Sequence, residues 1–441
     1  MTDIWELGVR EAATAIRDGK LTPPELAVSL LSRIAHLDGE IQAFARINSV
    51  DLLSEAEVMQ REATSGVFRG PLHGIPIAIK DILDTAGIET CVGSSLLAGR
   101  VPDRDATAVA QLRRAGALVL GKTAMTEFAA MDPAPTRNPW NVNHTPGGSS
   151  SGSAAAVAAF LAPGAVGTQT AGSIIRPAAY CGIVGLKPTY DAIDRRGVFP
   201  CAWSMDHVGP MARSVDDVAM LFEAMASTGA GGRTIDESSN SQLRIGISDR
   251  YFLDRADSDT KLAMETVIEG LREAGVSFVQ LVLPESFEAG CDAGIVNMYC
   301  EMAAAHRDLF AVSRSEYGWK LQCLLDAGMQ FSAVDYLRAQ QVRRLAMDDL
   351  SRILSSVDCL LTPSTPAPAP MGLDATGDWT LNLPFSSSGH PTLTVPVTLS
   401  RLGLPIGVQL VAKAHGEERL FCCGALIEKQ MKFNSNPFRN H

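Results

Sequence analysis

The stretch that decides the fold runs from Thr145 to Thr189 and reads TPGGSSSGSAAAVAAFLAPGAVGTQTAGSIIRPAAYCGIVGLKPT. Its first part is rich in glycine and serine, which is also typical of a flexible linker. The residues that follow, Ala154 to Leu161, are nearly all alanine or larger apolar residues and favour a buried helix. The Gly/Ser segment is therefore interpreted as a loop that opens a buried helix.

A second serine-bearing turn follows this predicted helix. Thr170, Ala171, Gly172 and Ser173 form a glycine-containing turn just before the apolar pair at 174–175. Two serine loops thus flank one apolar helix, whose small side chains allow close packing. We expect this packing to bring the two loops together.

Upstream, residues 74–83 read GIPIAIKDIL, which predicts a strand that is apolar on both faces until Lys80. A charged amine at the end of a buried strand is costly, so it requires a partner carboxylate or a shifted pKa. A salt bridge to Asp81 or Asp84 and a catalytic role are equally compatible with this spacing. The serine loops downstream favour catalysis.

The stretch ends with CGIVGLKPT at residues 181–189. Together with the Gly/Ser segment and the Gly172-Ser173 turn, this tail resembles the signature of the amidase signature family. The resemblance is strong over about residues 60–225. It is hardly present in the region between residue 225 and the C-terminal part of the chain. It implies an α/β fold in which residues 1–441 form a single domain, with a large mixed β-sheet core flanked by helices on both faces.

The resemblance also implies catalytic roles: Ser173 is the nucleophile, Ser149 is a bridging serine usually held by a cis peptide bond, and Lys80 is the base. Amide hydrolysis needs a nucleophile, a proton carrier and donors for the oxyanion. Neither loop contains histidine, so Lys80 would carry the proton as a neutral amine. Its pKa must then lie well below the usual value of about 10.4.

Residues around these serines have expected supporting roles. The backbone N–H groups of Thr170, Ala171, Gly172 and Ser173 are expected to bind the oxyanion, because the small side chains leave the carbonyl oxygen unobstructed. Ser150 is expected to hydrogen-bond within the site and to help bind the substrate.

Arg176 departs from the commonest family pattern. Many members place arginine two residues after the nucleophile, whereas Arg176 lies three after Ser173, as in malonamidase-like and carboxybiuret-hydrolase-like members. In those members the equivalent arginine meets a substrate carboxylate. The hypothesis is that Arg176 binds a carboxylate beside the scissile amide through a bidentate pair; the alternative is that it pairs with a protein carboxylate.

Two short patterns suggest other protein classes. Residues 116–123, GALVLGKT, match the Walker A pattern of a P-loop nucleotide-binding protein, but an apolar run occupies the loop and a helix pattern precedes it. Residues 148–152, GSSSG, match the nucleophile elbow of α/β-hydrolases, which would make Ser150 the nucleophile. That elbow needs a preceding strand, whereas residues 137–143 predict coil. Both alternatives are disfavoured.

Composition narrows the function classes. The 441 residues could hold two or three average domains, but we find no internal repeat and no second boundary. A net charge of −11 argues against a nucleic-acid surface. The first ten residues lack a signal-peptide pattern and no apolar run is long enough for a membrane span, so we expect no membrane association and a cytoplasmic location.

Nine cysteines, an odd number, favour free thiols, and no Cys-x-x-Cys or His i, i+4 pair suggests a metal site. We expect no cofactor and no metal.

The predicted function is an amidohydrolase acting on a small amide, either as a homodimer or with a small accessory subunit; the alternative is the glutamine-amidase subunit of an amidotransferase. Residues 229–242 predict a surface loop, and residues of about 285–355 a mainly helical, variable substrate-pocket region.

Overall fold

One mixed β-sheet runs through the part of the protein that the computed structural model describes, residues 3–226, 243–433 and 436–438. The predicted loop at 229–242 lies outside these residues. The strands are β1 Phe44–Ile47, β2 Pro76–Lys80, β3 Leu118–Thr123, β4 Gly164–Gln169, β5 Val184–Lys187, β6 His207–Ala212, β7 Arg244–Ile247, β8 Ser277–Gln280, β9 Cys359–Pro363, β10 Thr392–Leu399 and β11 Pro405–Val411.

Helices flank this sheet, as the sequence predicts for an α/β fold. They are α1 Val9–Arg17, α2 Pro23–Ile41, α3 Ser49–Thr64, α4 Thr107–Arg114, α5 Ser151–Ala158, α6 Ile175–Cys181, α7 Val215–Met225, α8 Ser258–Glu273, α9 Ser286–Ser313, α10 Trp319–Gln330, α11 Ala333–Leu354, α12 Leu383–Ser387 and α13 Glu417–Met431. None of the helices in the described ranges is long and apolar enough to cross a membrane.

The strand order is β1-β3-β2-β4-β6-β5-β10-β11-β9-β7-β8. The runs β3-β2-β4 and β9-β7-β8 are parallel, and the other neighbours are antiparallel. Every residue of β2, β3 and β4 is buried, which is what helices on both faces of a parallel sheet require.

The parallel pair β2 and β4 positions the candidate site. Because parallel strands end at the same edge of a sheet, Lys80 at the end of β2 and the turn after β4 lie together. Strand β6 is antiparallel to β4 and begins at this edge, with His207 opposite Gln169. Residues just before β6 therefore also reach this edge.

Helix α5 begins three residues earlier than the sequence predicts, at Ser151, and all of its residues are buried. It packs against α6, β2 and β4. The early start is possible because the first turn, Ser-Gly-Ser, carries small side chains: a Cβ atom at Gly152 would overlap the carbonyl oxygen of Ala43. The hydroxyl of Ser151 donates to the Gly147 carbonyl at 2.8 Å and satisfies an acceptor just before the helix.

The Walker A match is contradicted by the structure. Residues 118–123 form the buried strand β3 rather than a phosphate-binding loop. Lys122 is fully buried and donates to Thr85 Oγ1 at 3.1 Å and Thr90 Oγ1 at 2.8 Å. Its amine has no exposed surface to offer a nucleotide.

The predicted helical region at 285–355 is confirmed as α9, α10 and α11, with α9 packed against both of the others. Helix α2 begins with a capping box, in which Thr22 and Glu25 are bonded reciprocally.

Candidate active site

Lys80 lies fully buried at the end of β2. Its Nζ atom is 2.7 Å from Ser149 Oγ, 2.8 Å from Thr168 Oγ1 and 3.4 Å from the Thr168 carbonyl oxygen. Asp81 and Asp84 pair with other cations: Asp81 lies 3.7 Å from Lys122 and Asp84 lies 2.8 Å from Arg100. The salt-bridge alternative for Lys80 is therefore wrong.

Burial lowers the pKa of the Lys80 amine to about 7. The nearby Cys201 thiol and Asp206 carboxyl act in the opposite direction and keep the pKa from falling further. A substantial fraction of the amine is therefore neutral near pH 7, which a lysine in water is not.

The three contacts of Lys80 suit a neutral amine. A neutral amine has two N–H groups and one lone pair. The two oxygens of Thr168 can accept the two N–H groups, which leaves the lone pair to accept the hydroxyl proton of Ser149. In this geometry a proton transfer from Ser149 to Lys80 is chemically possible.

The two serine loops meet as the sequence predicts. The peptide bond between Gly148 and Ser149 is cis. The Ser150 N–H donates to the Ser173 carbonyl at 3.3 Å, so the loops are in direct contact. The Ser150 hydroxyl donates to the Thr168 carbonyl at 3.1 Å and accepts from the Thr168 N–H at 3.3 Å, which joins the first loop to β4.

The turn at 170–173 carries backbone donors without protein acceptors. Among the described residues, the N–H groups of Ala171, Gly172 and Ser173 bond to no protein atom. The Gln169 side chain accepts instead from the two N–H groups at 174 and 175, at 2.7 and 2.9 Å, and Ser386 Oγ donates to the Ala171 carbonyl at 2.6 Å. These bonds fix the turn and leave its donors available for an oxyanion.

Asp206 supports the same turn and was not found by the sequence analysis. Its carboxylate accepts from the Thr170 hydroxyl at 2.6 Å and from the N–H groups of Cys201 and Ala202 at 3.0 Å. Burial raises the pKa of this carboxyl to about 6. A polar residue directly before a buried strand, β6, is the only signal in the sequence that could have found it.

Arg176 does not pair with a carboxylate among the described residues, which was the alternative to a substrate-binding role. The guanidinium is buried and donates to the carbonyl oxygens of Gly377 at 2.7 Å and Gly148 at 2.6 Å. Burial lowers its pKa to about 10. The Nε atom is buried without a hydrogen-bond partner. Arg176 thus links helix α6 to the carbonyl of the cis peptide.

A pocket of about 80 Å³ opens beside Ser173. One wall is the turn at 170–173 with Arg176, and the other comes from α9, α10 and Trp379. Ser149, Ser150 and Lys80 do not line this pocket and lie buried behind it. The arrangement presents the hydroxyl-bearing turn to the pocket and shields the amine from solvent.

The other site hypotheses find no support in the geometry. An α/β-hydrolase triad would also need a histidine beside Ser150, but the buried His390 bonds to Ser351 and Ser388 instead of to a serine of the loops. Among residues 3–226, 243–433 and 436–438, no group of three or more His, Cys, Asp and Glu side chains could hold a metal ion.

Comparison with known proteins places the chain among amide-processing enzymes. A family model described as Amidase matches residues 25–421. The A subunit of the glutamyl-tRNA(Gln) amidotransferase of Geobacter metallireducens is 35% identical over 97% of this chain and 98% of its own length. Peptide amidase from Stenotrophomonas maltophilia has a similar structure, with a TM-score of 0.85, 32% identity and 99% of each chain covered. A protein from a vestigial complex that bears on the origins of an s-triazine catabolic enzyme matches with a TM-score of 0.88 and 30% identity over 96% of this chain and 98% of the other.

Proposed function

The chain belongs to the amidase signature family, and from this premise we propose that it cleaves the C–N bond of a small amide through a Ser173–Ser149–Lys80 relay and an acyl-enzyme. The observation that carries the proposal is the buried Lys80 amine, with a pKa of about 7, lying 2.7 Å from the Ser149 hydroxyl. No metal or cofactor takes part in the proposed steps.

The proton moves along the relay when the nucleophile attacks. Neutral Lys80 takes the proton of Ser149, Ser149 takes the proton of Ser173, and the Ser173 oxygen adds to the amide carbonyl. The proton returns along the same path to the leaving amine, which departs as ammonia when the amide is primary. Water then attacks the acyl-enzyme, releases the carboxylic acid and restores Ser173.

The developing negative charge on the carbonyl oxygen is stabilised by the turn. The free N–H groups of Ala171, Gly172 and Ser173 are preorganised donors, since Gln169 and Ser386 hold the turn from behind. Thr170 contributes through its bond to Asp206, which fixes the start of the turn. We place Ser150 as a positioning residue, because its hydroxyl is occupied by the Thr168 backbone.

The carboxylated-substrate hypothesis remains a proposal about Arg176. Arg176 lines the pocket beside Ser173, which places it near an acyl group. Each terminal nitrogen donates one of its two N–H groups to a carbonyl oxygen, so, among the described residues, the second N–H of each nitrogen carries no protein bond and is a donor for a substrate carboxylate. Its Nε–H also has no partner.

The direct test of the proposed function is ammonia release from simple primary amides by the purified chain alone, without ATP and without a second protein. We expect turnover under these conditions. A partner requirement would instead support the second candidate function, a glutamine-amidase subunit of an amidotransferase, which the likeness to amidotransferase A subunits favours. Size measurement of the purified protein tests the expected homodimer.

The pH dependence of the reaction follows from Lys80. The base acts as the neutral amine, so kcat/KM is expected to rise about tenfold per pH unit below the pKa of about 7 and to level off above it. The check is kcat/KM for a neutral amide between about pH 5 and 9. A midpoint near the ordinary lysine value of about 10.4 would contradict a buried neutral base.

Replacing Asp206 by asparagine is expected to lower kcat about 10- to 100-fold, because an amide nitrogen cannot accept from the N–H groups and the Thr170 hydroxyl that the carboxylate holds. The carboxylate also raises the pKa of Lys80, so its loss should move the midpoint of the pH profile to lower pH. Asp217→Asn, at another buried carboxylate, is the control. An unshifted midpoint would show that Asp206 is only structural.

A further inference from the structure

The proposed function does not specify which acyl groups the pocket beside Ser173 accepts. Its outer wall consists of side chains from the variable helical region and one loop: Met298, Tyr299 and Met302 of α9, Leu324 of α10, and Trp379. Met298 and Met302 are buried. This wall is apolar, and the two methionines are flexible enough to adapt to chains of different shape.

The pocket contains few charges. Among its lining residues Arg176 is the only charged one, and it is a cation that donates two of its five N–H groups to the Gly377 and Gly148 carbonyls. No acidic side chain lines the pocket. The ammonium group of an amino-acid amide such as glutamine would therefore be buried without a carboxylate, and burying an unpaired charge is strongly unfavourable.

The pocket serves the acyl group rather than the leaving group when the amide is primary, because ammonia needs almost no space. A volume of about 80 Å³ suits a short chain rather than a peptide. Building on the proposed amidohydrolase function, we infer that the site takes primary amides of short aliphatic acids that carry no ammonium group, with the alkyl chain held against Met298, Met302 and Leu324. The reaction is amide plus water to carboxylate plus ammonia.

This inference is tested with two sets of substrates on the whole protein. The first is a chain-length series of acetamide, propanamide and butanamide. Each methylene buried in the pocket is expected to raise kcat/KM about fourfold until the pocket is full. The second is a pair of similar shape, 4-aminobutanamide and pentanamide, in which a methyl group replaces the ammonium group. We expect the neutral member to be preferred at least about tenfold.

Variants test which side chains carry the preference. Met302→Gln places a polar group in the wall without changing the length of the side chain, so it should flatten the chain-length series. Met264→Gln is the matched control, since Met264 and Met302 are both 3% exposed and Met264 lies outside the pocket. Leu324→Gln, at a half-buried position, gives a second variant if the first does not fold.

A preference for 4-aminobutanamide, or a chain-length series that is flat in the wild type, would overturn the inference while leaving the proposed function intact. An unchanged series in both Met302→Gln and Leu324→Gln would also overturn it. Failure to hydrolyse any amide, acetamide included, would overturn the proposed function and the inference with it.

Discussion

Ser173→Ala is expected to lower kcat/KM by roughly ten-thousand-fold or more, since removal of a nucleophile from a catalytic triad leaves only the contributions of binding and the oxyanion site. Covalent chemistry should disappear as well. With hydroxylamine present, the wild type is expected to form hydroxamate from the acyl-enzyme, and the variant is expected to form none.

The control for this variant is Ser153→Ala, a serine of the same Ser/Gly segment. Its hydroxyl is buried in α5 and bonds to the Val166 carbonyl at 3.0 Å and to Thr123 at 2.7 Å. We expect Ser153→Ala to retain the activity per folded molecule. Hydroxamate formation by Ser173→Ala would identify a different nucleophile.

Lys80→Met is expected to lower kcat about 10³- to 10⁴-fold, because it removes the proton acceptor while keeping the volume of the side chain. The variant should not be less stable. The folded pKa of about 7 lies below the ordinary value of 10.5, so the unfolded chain holds the proton more tightly between these values. Burial of the protonated amine therefore lowers the free energy of unfolding by its full amount below about pH 7. This destabilisation declines as the pH rises from about 7 towards 10.5.

Lys122→Met provides a matched control. Lys122 is equally buried and pairs in register with Ile79, so its side chain lies on the opposite face of the sheet from Lys80. We expect this variant to retain activity per folded molecule, and we expect ATP binding to be absent in both the variant and the wild type. Thermal unfolding and ammonia release on the two variants separate catalysis from stability. Normal activity of Lys80→Met would remove the proposed base.

The sequence predicted the parts of the site that are encoded locally. The Gly/Ser loop, the second serine turn and the apolar strand before Lys80 are continuous patterns, and the structure brings them to one edge of the sheet. The depressed pKa of Lys80 also follows from its position, because a strand that is apolar on both faces has no water to solvate an ammonium group.

The rest depends on contacts between distant parts of the chain. Asp206 reaches Thr170 only because β6 runs antiparallel to β4. The partners of Arg176 are two backbone carbonyls, which leave no mark in a sequence. The start of α5 was predicted too late, because serine and glycine are weak helix formers. Glycine is needed in the first turn of α5 because the backbone of Ala43, a distant residue, approaches it closely. Strand order is likewise non-local.

The central claim is that Ser173 carries the acyl group while Lys80 and Ser149 move the proton. The most direct measurement is mass spectrometry of the wild-type protein, quenched in acid during turnover of a slow amide and digested with protease. The account predicts the mass of the acyl group on the peptide that contains Ser173. The acyl mass on a peptide containing Ser149 or Ser150 but not Ser173, or turnover without any covalent adduct, would contradict it.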